Sequence, residues 1–192
     1  MNRKLISATV LILVLILSAC GQNKIKNAID RPLKDFTFTD QNGDKFGLKD
    51  LKGKVWVADF IYTNCPDVCP PMTFNMVKLQ KKVKKEGIKN IQFVSFSVDP
   101  TVDKPETLKK YGEKYNADQR NWHFLTGYTQ AEIEKFALDN FKALVKKPEK
   151  GDQVIHGTSF YLIDKNGHVM KEYTGLNDVP FDEIINDIKA LQ

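Results

Sequence analysis

The chain has 192 residues, of which 42% are hydrophobic and 28% are charged, and its formal net charge is +5 at pH 7. This length suits one domain with a substantial core. The charge balance is ordinary for a soluble domain, and nothing in the sequence indicates nucleic-acid binding.

The first 19 residues have the features of an export signal. Arg3 and Lys4 precede an apolar stretch over residues 5–16, which is too short for an ordinary membrane span. The following Leu-Ser-Ala-Cys resembles a bacterial lipobox, and this resemblance implies that Cys20 is lipidated and begins the mature protein. An uncleaved N-terminal anchor is the alternative. In either case we expect the protein on the extracytoplasmic face of the cell membrane, with residues 20–33 as a spacer and residues 34–192 as the domain.

The first predicted elements of the domain are a hairpin, a buried strand and a helix. Two short strands containing Phe36, Phe38 and Phe46 flank the turn residues 41–44. Residues 55–61 form a buried strand pattern. Residues 70–87 then carry apolar side chains at helical spacing and end on a glycine. The apolar positions of this helix are Met72, Met76, Leu79 and Val83.

Strands and helices alternate through the rest of the chain. Residues 91–98 are nearly all apolar, as expected of a central strand, and residues 122–125 form another. Asp103 with Glu106, and Thr129 with Glu132, match the spacing that caps a helix. Two strands over residues 158–163 and 169–174 and a helix over residues 181–191 follow. The order β-β-β-α-β-α-β-α-β-β-α predicts one α/β domain with a central mixed sheet, flanking helices and an N-terminal β-hairpin.

Two cysteines between the strand at residues 55–61 and the following helix carry the main chemical signal. Cys65 and Cys69 are four positions apart, about one helical turn, so their sulfurs can share one face. A helix N-terminus favours the thiolate form. The pair can therefore exist as a disulfide, as free thiols or bound to a soft metal ion. A purely structural disulfide would close a very short loop and constrain the unfolded chain little.

Two further residues are candidates for a role beside the cysteines. His156 lies 87 positions after Cys69 and could complete a metal site, although a lone histidine is more often a surface or hydrogen-bonded residue. His123 and His168 are interpreted as structural and solvated. Asp59 interrupts a buried strand, where a carboxylate is costly unless it is paired or protonated. It is either a proton shuttle for the two thiols or a solvated side chain at a sheet edge.

Four segments together resemble the SCO/SenC family. They are the segment from Cys65 through Cys69 to Pro70, Ser97-Val98-Asp99-Pro100, Leu125-Thr126-Gly127, and His156 ahead of Phe160-Tyr161-Leu162-Ile163. They occur in the family's order, and the resemblance extends from about Phe36 to the C-terminus. It implies a thioredoxin-like fold and a copper ion held by Cys65, Cys69 and His156. It also implies a membrane-anchored metallochaperone whose partner is the copper-bearing subunit of cytochrome c oxidase, where it serves assembly of the CuA centre.

Other functions stay open at this point. Asn64 stands where many relatives carry histidine, so no extra ligand is expected there. Asp59 resembles the buried acid of redox thioredoxins, which keeps open a thiol–disulfide oxidoreductase that reduces the oxidase cysteines. Zinc could use the same three ligands and a water molecule. A peroxidase usually needs an arginine beside the thiolate, and none lies near Cys65 in the sequence.

Overall fold

The computed structural model describes residues 25–151 and 153–192. The predicted signal peptide and the predicted lipidation site Cys20 lie outside the described residues. Within this part of the chain, no helix has both the length and the apolar character needed to cross a bilayer.

The centre of the molecule is a six-stranded mixed sheet with the strand order β1-β10-β9-β4-β5-β6. Strands β4, β5 and β6 are parallel, whereas β9 is antiparallel to β4 and β10 is antiparallel to β9. Two short hairpins, β2–β3 and β7–β8, lie outside this sheet. The strands are β1 Arg31–Pro32, β2 Thr37–Thr39, β3 Lys45–Gly47, β4 Val55–Ile61, β5 Ile91–Ser97, β6 Trp122–Leu125, β7 Val145–Lys146, β8 Ile155–His156, β9 Ser159–Ile163 and β10 His168–Thr174.

In the described part of the chain, five α-helices accompany the sheet, and a short π-helical segment, Ala137–Phe141, extends the fourth of them. This arrangement confirms the predicted α/β class, the mixed sheet and the N-terminal β-hairpin. The helices are α1 Leu48–Leu51, α2 Cys69–Lys85, α3 Pro105–Lys114, α4 Gln130–Phe136 and α5 Phe181–Leu191.

The two central strands and α2 follow the sequence pattern closely. All seven residues of β4 are buried, and so are six of the seven in β5, because parallel central strands are covered on both faces. Helix α2 has prolines in its first turn, where a missing N–H costs nothing. The chain leaves the helix at Gly87, whose φ of +68° suits a glycine. Helix α2 therefore begins at the second cysteine itself.

The start of α3 differs from its prediction. The residue that caps this helix is Lys104, and no side chain makes a capping bond there. Asp103 is instead fully buried and accepts hydrogen bonds from other segments. The predicted cap of α4 is confirmed, since Thr129 and Glu132 form a reciprocal capping box. The same capping-box spacing forms a cap at α4 but not at α3, because the Asp103 carboxylate is hydrogen-bonded to residues outside the helix.

The structure also shows elements that the sequence did not predict. Ile25 and Leu33, assigned above to the spacer, are buried, and Arg31–Pro32 pairs with β10. Residues 25–33 therefore pack on the domain. The β7–β8 hairpin pairs Val145 with His156. We call residues 145–156 the histidine hairpin, because it carries His156.

Candidate metal centre

The two cysteines lie where β4 leads into α2. We call residues 62–69 the cysteine loop. Two hydrogen bonds shape this loop. The Cys65 backbone N–H donates to the carbonyl of Tyr62 at 3.3 Å, and the Cys69 backbone N–H donates to the Cys65 sulfur, also at 3.3 Å. Cys69 is fully buried, and Cys65 is 8% exposed. The local fold thus turns both sulfurs inward, and both are free thiols.

The two thiols differ sharply in acidity. A hydrogen bond from the Cys69 thiol is the largest cause that lowers the pKa of Cys65 to about 4. The backbone N–H groups of Cys69 and Asp67 and the Tyr62 hydroxyl lower it further, against burial, which raises it. The pKa of Cys69 is raised, first by its hydrogen bond to Cys65 and then by burial. Cys65 is therefore the thiolate of the pair at neutral pH.

The histidine hairpin brings His156 to the same point. Its Nε2 lies 3.3 Å from the Cys69 sulfur, and its Nδ1 lies 2.8 Å from the carbonyl oxygen of Gly157. Because a carbonyl oxygen can only accept, this contact places the proton on Nδ1 and leaves the Nε2 lone pair facing the cysteines. Orientation of a ligating histidine by a hydrogen bond from its other nitrogen is typical of metal sites.

The three side chains form one potential metal site. The sulfurs of Cys65 and Cys69 and the imidazole nitrogen of His156 all lie within 4.8 Å of one another. Within residues 25–151 and 153–192, no fourth histidine, cysteine or carboxylate joins this group. Two thiolates and one imidazole are soft donors that suit Cu(I) and also accept Cu(II). A closed structural zinc site would need a fourth protein ligand. The donor set therefore fits copper.

Asp59 lies inside the sheet behind the cysteine loop. It pairs with Ser95 across β4 and β5, and the Ser95 hydroxyl donates to Asp59 Oδ1 at 2.6 Å. Asp59 Oδ2 is buried and has no partner among the described residues. Burial raises the pKa of Asp59 to about 7, against the Ser95 hydrogen bond. The interpretation of Asp59 as a solvated residue at a sheet edge is wrong, because the residue is fully buried on a central strand.

Asp103 supports the cysteine loop, a role that sequence reasoning missed. Its carboxylate accepts from the Thr63 hydroxyl at 2.5 Å, from the Thr63 backbone N–H at 3.1 Å and from the Ser97 hydroxyl at 2.6 Å. These bonds tie the start of the cysteine loop to the end of β5. Burial is the largest influence on the pKa of Asp103, which is raised. Only the register of the folded sheet reveals this contact, since Thr63 and Asp103 are 40 residues apart.

Asp99 connects the histidine hairpin to the end of β5. The Lys147 ammonium lies 2.7 Å from Asp99 Oδ1, and it also donates to the Thr101 hydroxyl at 3.1 Å. Burial raises the pKa of Asp99, but the hydrogen bonds from Lys147 and Thr101 outweigh it and leave the pKa lowered. Asp99 is therefore charged and holds the base of the histidine hairpin near the cysteine loop.

The other histidines lie outside the site. The His123 ring stacks on Phe46 with centroids 3.8 Å apart, and its Nδ1 has no hydrogen-bond partner within the described ranges. Its Nδ1 lies 3.6 Å from Asp40 Oδ2, so His123 has a structural role, as interpreted from the sequence. His168 contacts Asp30 at 2.6 Å and is partly exposed. Neither histidine was predicted to be a ligand, and neither belongs to the potential metal site.

A lysine-rich run over residues 81–85 lies at the end of α2 that is far from the cysteines. Lys81 and Lys84 line a cleft of about 800 Å³ together with Arg120, and Lys82 pairs with Asp182. The metal site is thus separate from this cleft.

Fold and site together define a class of protein, a thioredoxin-like domain with a two-thiol, one-imidazole metal site. The model of the SCO1/SenC family matches residues 26–192. The chain therefore belongs to the SCO1/SenC family, which the four sequence segments had indicated.

Three solved structures place the chain within this family. A SCO1/SenC family lipoprotein from Bacillus anthracis is 58% identical, with a TM-score of 0.84 over 87% of this chain and 98% of that chain. BsSco, described as a Sco-family cytochrome c oxidase assembly protein with a disulfide switch, is 52% identical, with a TM-score of 0.81 over 88% and 97%. Copper-bound ScoI from Bradyrhizobium japonicum is 29% identical, with a TM-score of 0.69 over 84% and 99%.

Proposed function

We propose that this protein is a membrane-anchored metallochaperone that carries copper to the CuA centre of cytochrome c oxidase. The observation that carries the proposal is the convergence of two sulfurs and one imidazole nitrogen within 4.8 Å. Copper is the cargo here, held by Cys65, Cys69 and His156. The copper-bound relative from Bradyrhizobium japonicum and the oxidase-assembly role of BsSco support both the metal and the partner.

The acidity of the two thiols describes how copper would load. Cys65 is already a thiolate, and the His156 Nε2 lone pair is free to bind. Cys69 must lose a proton when its sulfur binds the metal, because thiolates are the ligands. Loading therefore releases one proton from Cys69, whose raised pKa makes the complex weaker as the pH falls. Three ligands from two separate segments leave an open face, which suits transfer of the ion to a partner.

The predicted anchor at Cys20 is part of the same proposal. A lipid on Cys20 would hold the domain at the extracytoplasmic surface, where the copper centre of the oxidase lies. The related Bacillus anthracis protein is described as a lipoprotein, which supports this assignment. Only residues 21–24 would separate the lipid from Ile25, which is packed in the core. Since an extended residue spans at most about 3.6 Å, the domain would stay within about 20 Å of the membrane.

A second candidate function is favoured by the low pKa of Cys65, which is about 4. In this alternative the protein reduces a disulfide in the oxidase subunit. The Cys65 thiolate attacks one target sulfur and forms a mixed disulfide, and the other target sulfur leaves as a thiolate. Cys69 then loses its proton and attacks the Cys65 sulfur, the mixed disulfide breaks and the first target sulfur leaves as a thiolate, so the target gains two electrons and the cysteine pair becomes a disulfide. Asp59 could accept the proton of Cys69, since its charge acts on that thiol.

Copper titration with and without prior reduction tests the proposed function. We expect the reduced protein to bind one copper ion per chain and, with Cu(II), to give a sulfur-to-copper charge-transfer band. The oxidised protein should bind none at this site, because a disulfide removes both thiolates. Cys65→Ser and Cys69→Ser should abolish the band. Equal copper binding by oxidised protein would contradict the assignment of these sulfurs as ligands.

A further inference from the structure

Tyr62 lies between the two segments that supply the metal ligands. It follows β4 directly and is 2% exposed. Its hydroxyl donates to Gln153 Oε1 at 2.8 Å, and Gln153 is three positions before His156 on the histidine hairpin. The edge of its ring faces the His156 imidazole, with centroids 5.7 Å apart and planes at 86°. One buried side chain thus contacts the histidine hairpin at two points.

Tyr62 is the first residue of the cysteine loop and also contacts Cys65 within it. Its backbone carbonyl accepts the Cys65 N–H at 3.3 Å, and its hydroxyl lies near enough to the Cys65 sulfur to lower the pKa of that thiol. The hydroxyl has one proton, so it donates either to Gln153 or to Cys65. A neutral phenol is a hard oxygen donor and is not suited to bind Cu(I). The phenol of a tyrosine is neutral at physiological pH, so this hydroxyl acts as a hydrogen-bond donor.

The tip of the histidine hairpin has few other attachments. Lys147 is tied to Asp99, and Val154 is buried, but Glu149, Lys150 and Gly151 are exposed. Gly157, directly after the histidine, has open space around it. Among the described residues between Lys147 and His156, only Gln153 makes a side-chain hydrogen bond outside the hairpin, and its partner is the hydroxyl of Tyr62, directly after β4. This bond therefore contributes to the position of the imidazole over the cysteines, together with the pairing of Val145 with His156 and the Lys147–Asp99 ion pair.

We propose that Tyr62 is a positioning residue whose hydroxyl, through Gln153, holds His156 over the cysteine pair. This inference rests on the proposed copper-binding function. A hydrogen bond contributes about 0.5–1.5 kcal/mol net, which corresponds to roughly a 2- to 10-fold change in a binding constant. Loss of the hydroxyl should therefore loosen the imidazole without removing any ligand. Copper release should become faster, while the Cys65–Cys69 pair remains able to form and to break its disulfide.

The test uses Tyr62→Phe, Gln153→Ala and the double variant. We expect each single variant to release copper to an excess chelator roughly 3- to 10-fold faster than the wild type, within the range of one hydrogen bond. The double variant should be no faster than Tyr62→Phe alone, because both changes remove the same bond. Tyr173→Phe is the matched control. It removes the hydroxyl that bonds Asp187 at 2.7 Å, on a buried tyrosine beside α5, and should leave copper release unchanged.

A metal-free measurement separates this inference from the proposed function. In the reduced protein without copper, amide hydrogen exchange at residues 153–158 should be several-fold faster in Tyr62→Phe and in Gln153→Ala, and unchanged in Tyr173→Phe. Wild-type exchange in both variants, or additive effects on copper release, would overturn the positioning role. If His156→Ala released copper at the wild-type rate, the proposed function would fail. The amide hydrogen-exchange data would still decide whether Tyr62 holds the histidine hairpin.

Discussion

Replacing His156 with alanine is expected to weaken copper binding by at least about 100-fold, because loss of a partner behind a metal ligand already costs 10- to 100-fold and here the ligand itself is lost. The imidazole Nε2 lies 3.3 Å from the Cys69 sulfur, so it completes the site that the two sulfurs begin. The measurement is competition for copper against a chelator of known affinity, with the charge-transfer band recorded in parallel.

Two other histidines provide matched controls for this variant. His168→Ala removes a partly exposed imidazole that contacts Asp30, and His123→Ala removes one that stacks on Phe46. Both variants should bind copper as the wild type does. Thiol–disulfide exchange by His156→Ala, measured by insulin reduction, separates the two candidate functions. An oxidoreductase would keep full activity and would not need the histidine. Unchanged copper affinity in His156→Ala would count decisively against the three-ligand site.

The variant Asp59→Asn is expected to change how stability depends on pH. The pKa of Asp59 is about 7 in the folded protein, compared with 3.8 for an ordinary aspartate. Between these values the unfolded chain loses its proton while the folded chain keeps it. Stability contributed by the neutral form is therefore complete below about pH 4 and is lost as the pH rises towards 7, by up to about 1.4 kcal/mol per pH unit. Above pH 7 the full cost of the buried charge remains.

Asparagine cannot ionise, so Asp59→Asn should remove this loss. Its free energy of unfolding in urea, measured from pH 4 to pH 8, should fall less with pH than that of the wild type. The variant should be the more stable of the two at pH 8. Asp44→Asn, at an exposed position in the β2–β3 turn, is the control and should leave the pH dependence unchanged. Parallel pH curves for Asp59→Asn and the wild type would refute a buried carboxylate with a raised pKa.

Strong local patterns made part of the fold predictable. The apolar run of β4 and the helical spacing on α2 could be recognised without tertiary information. A strand buried on both faces has a continuous apolar sequence, and a helix buried on one face has apolar residues at helical spacing. The four-residue spacing predicted that the sulfurs of Cys65 and Cys69 can lie close together, as they do, although Cys65 lies in the loop before α2 and only Cys69 is helical. The capping box of Thr129 and Glu132 was predictable because both partners lie within one turn of helix.

Long-range contacts could not be predicted in the same way. The β7–β8 hairpin has strands of only two residues each, too short to show a period, so the path that brings His156 to the cysteines was invisible. Asp103 matched a helix cap, but its carboxylate bonds Thr63, 40 positions earlier in the chain. The environment of Asp59 was decided by the register that places Ser95 beside it. In each case the deciding partner belongs to another strand or loop.

X-ray absorption spectroscopy of the reduced, copper-loaded protein tests the central claim most directly, because it counts the ligands around the metal. We expect two sulfur atoms and one imidazole in the first shell of the wild type, and no imidazole in the first shell of His156→Ala. A first shell without sulfur, or with two sulfurs but no imidazole in the wild type, would contradict copper binding by Cys65, Cys69 and His156.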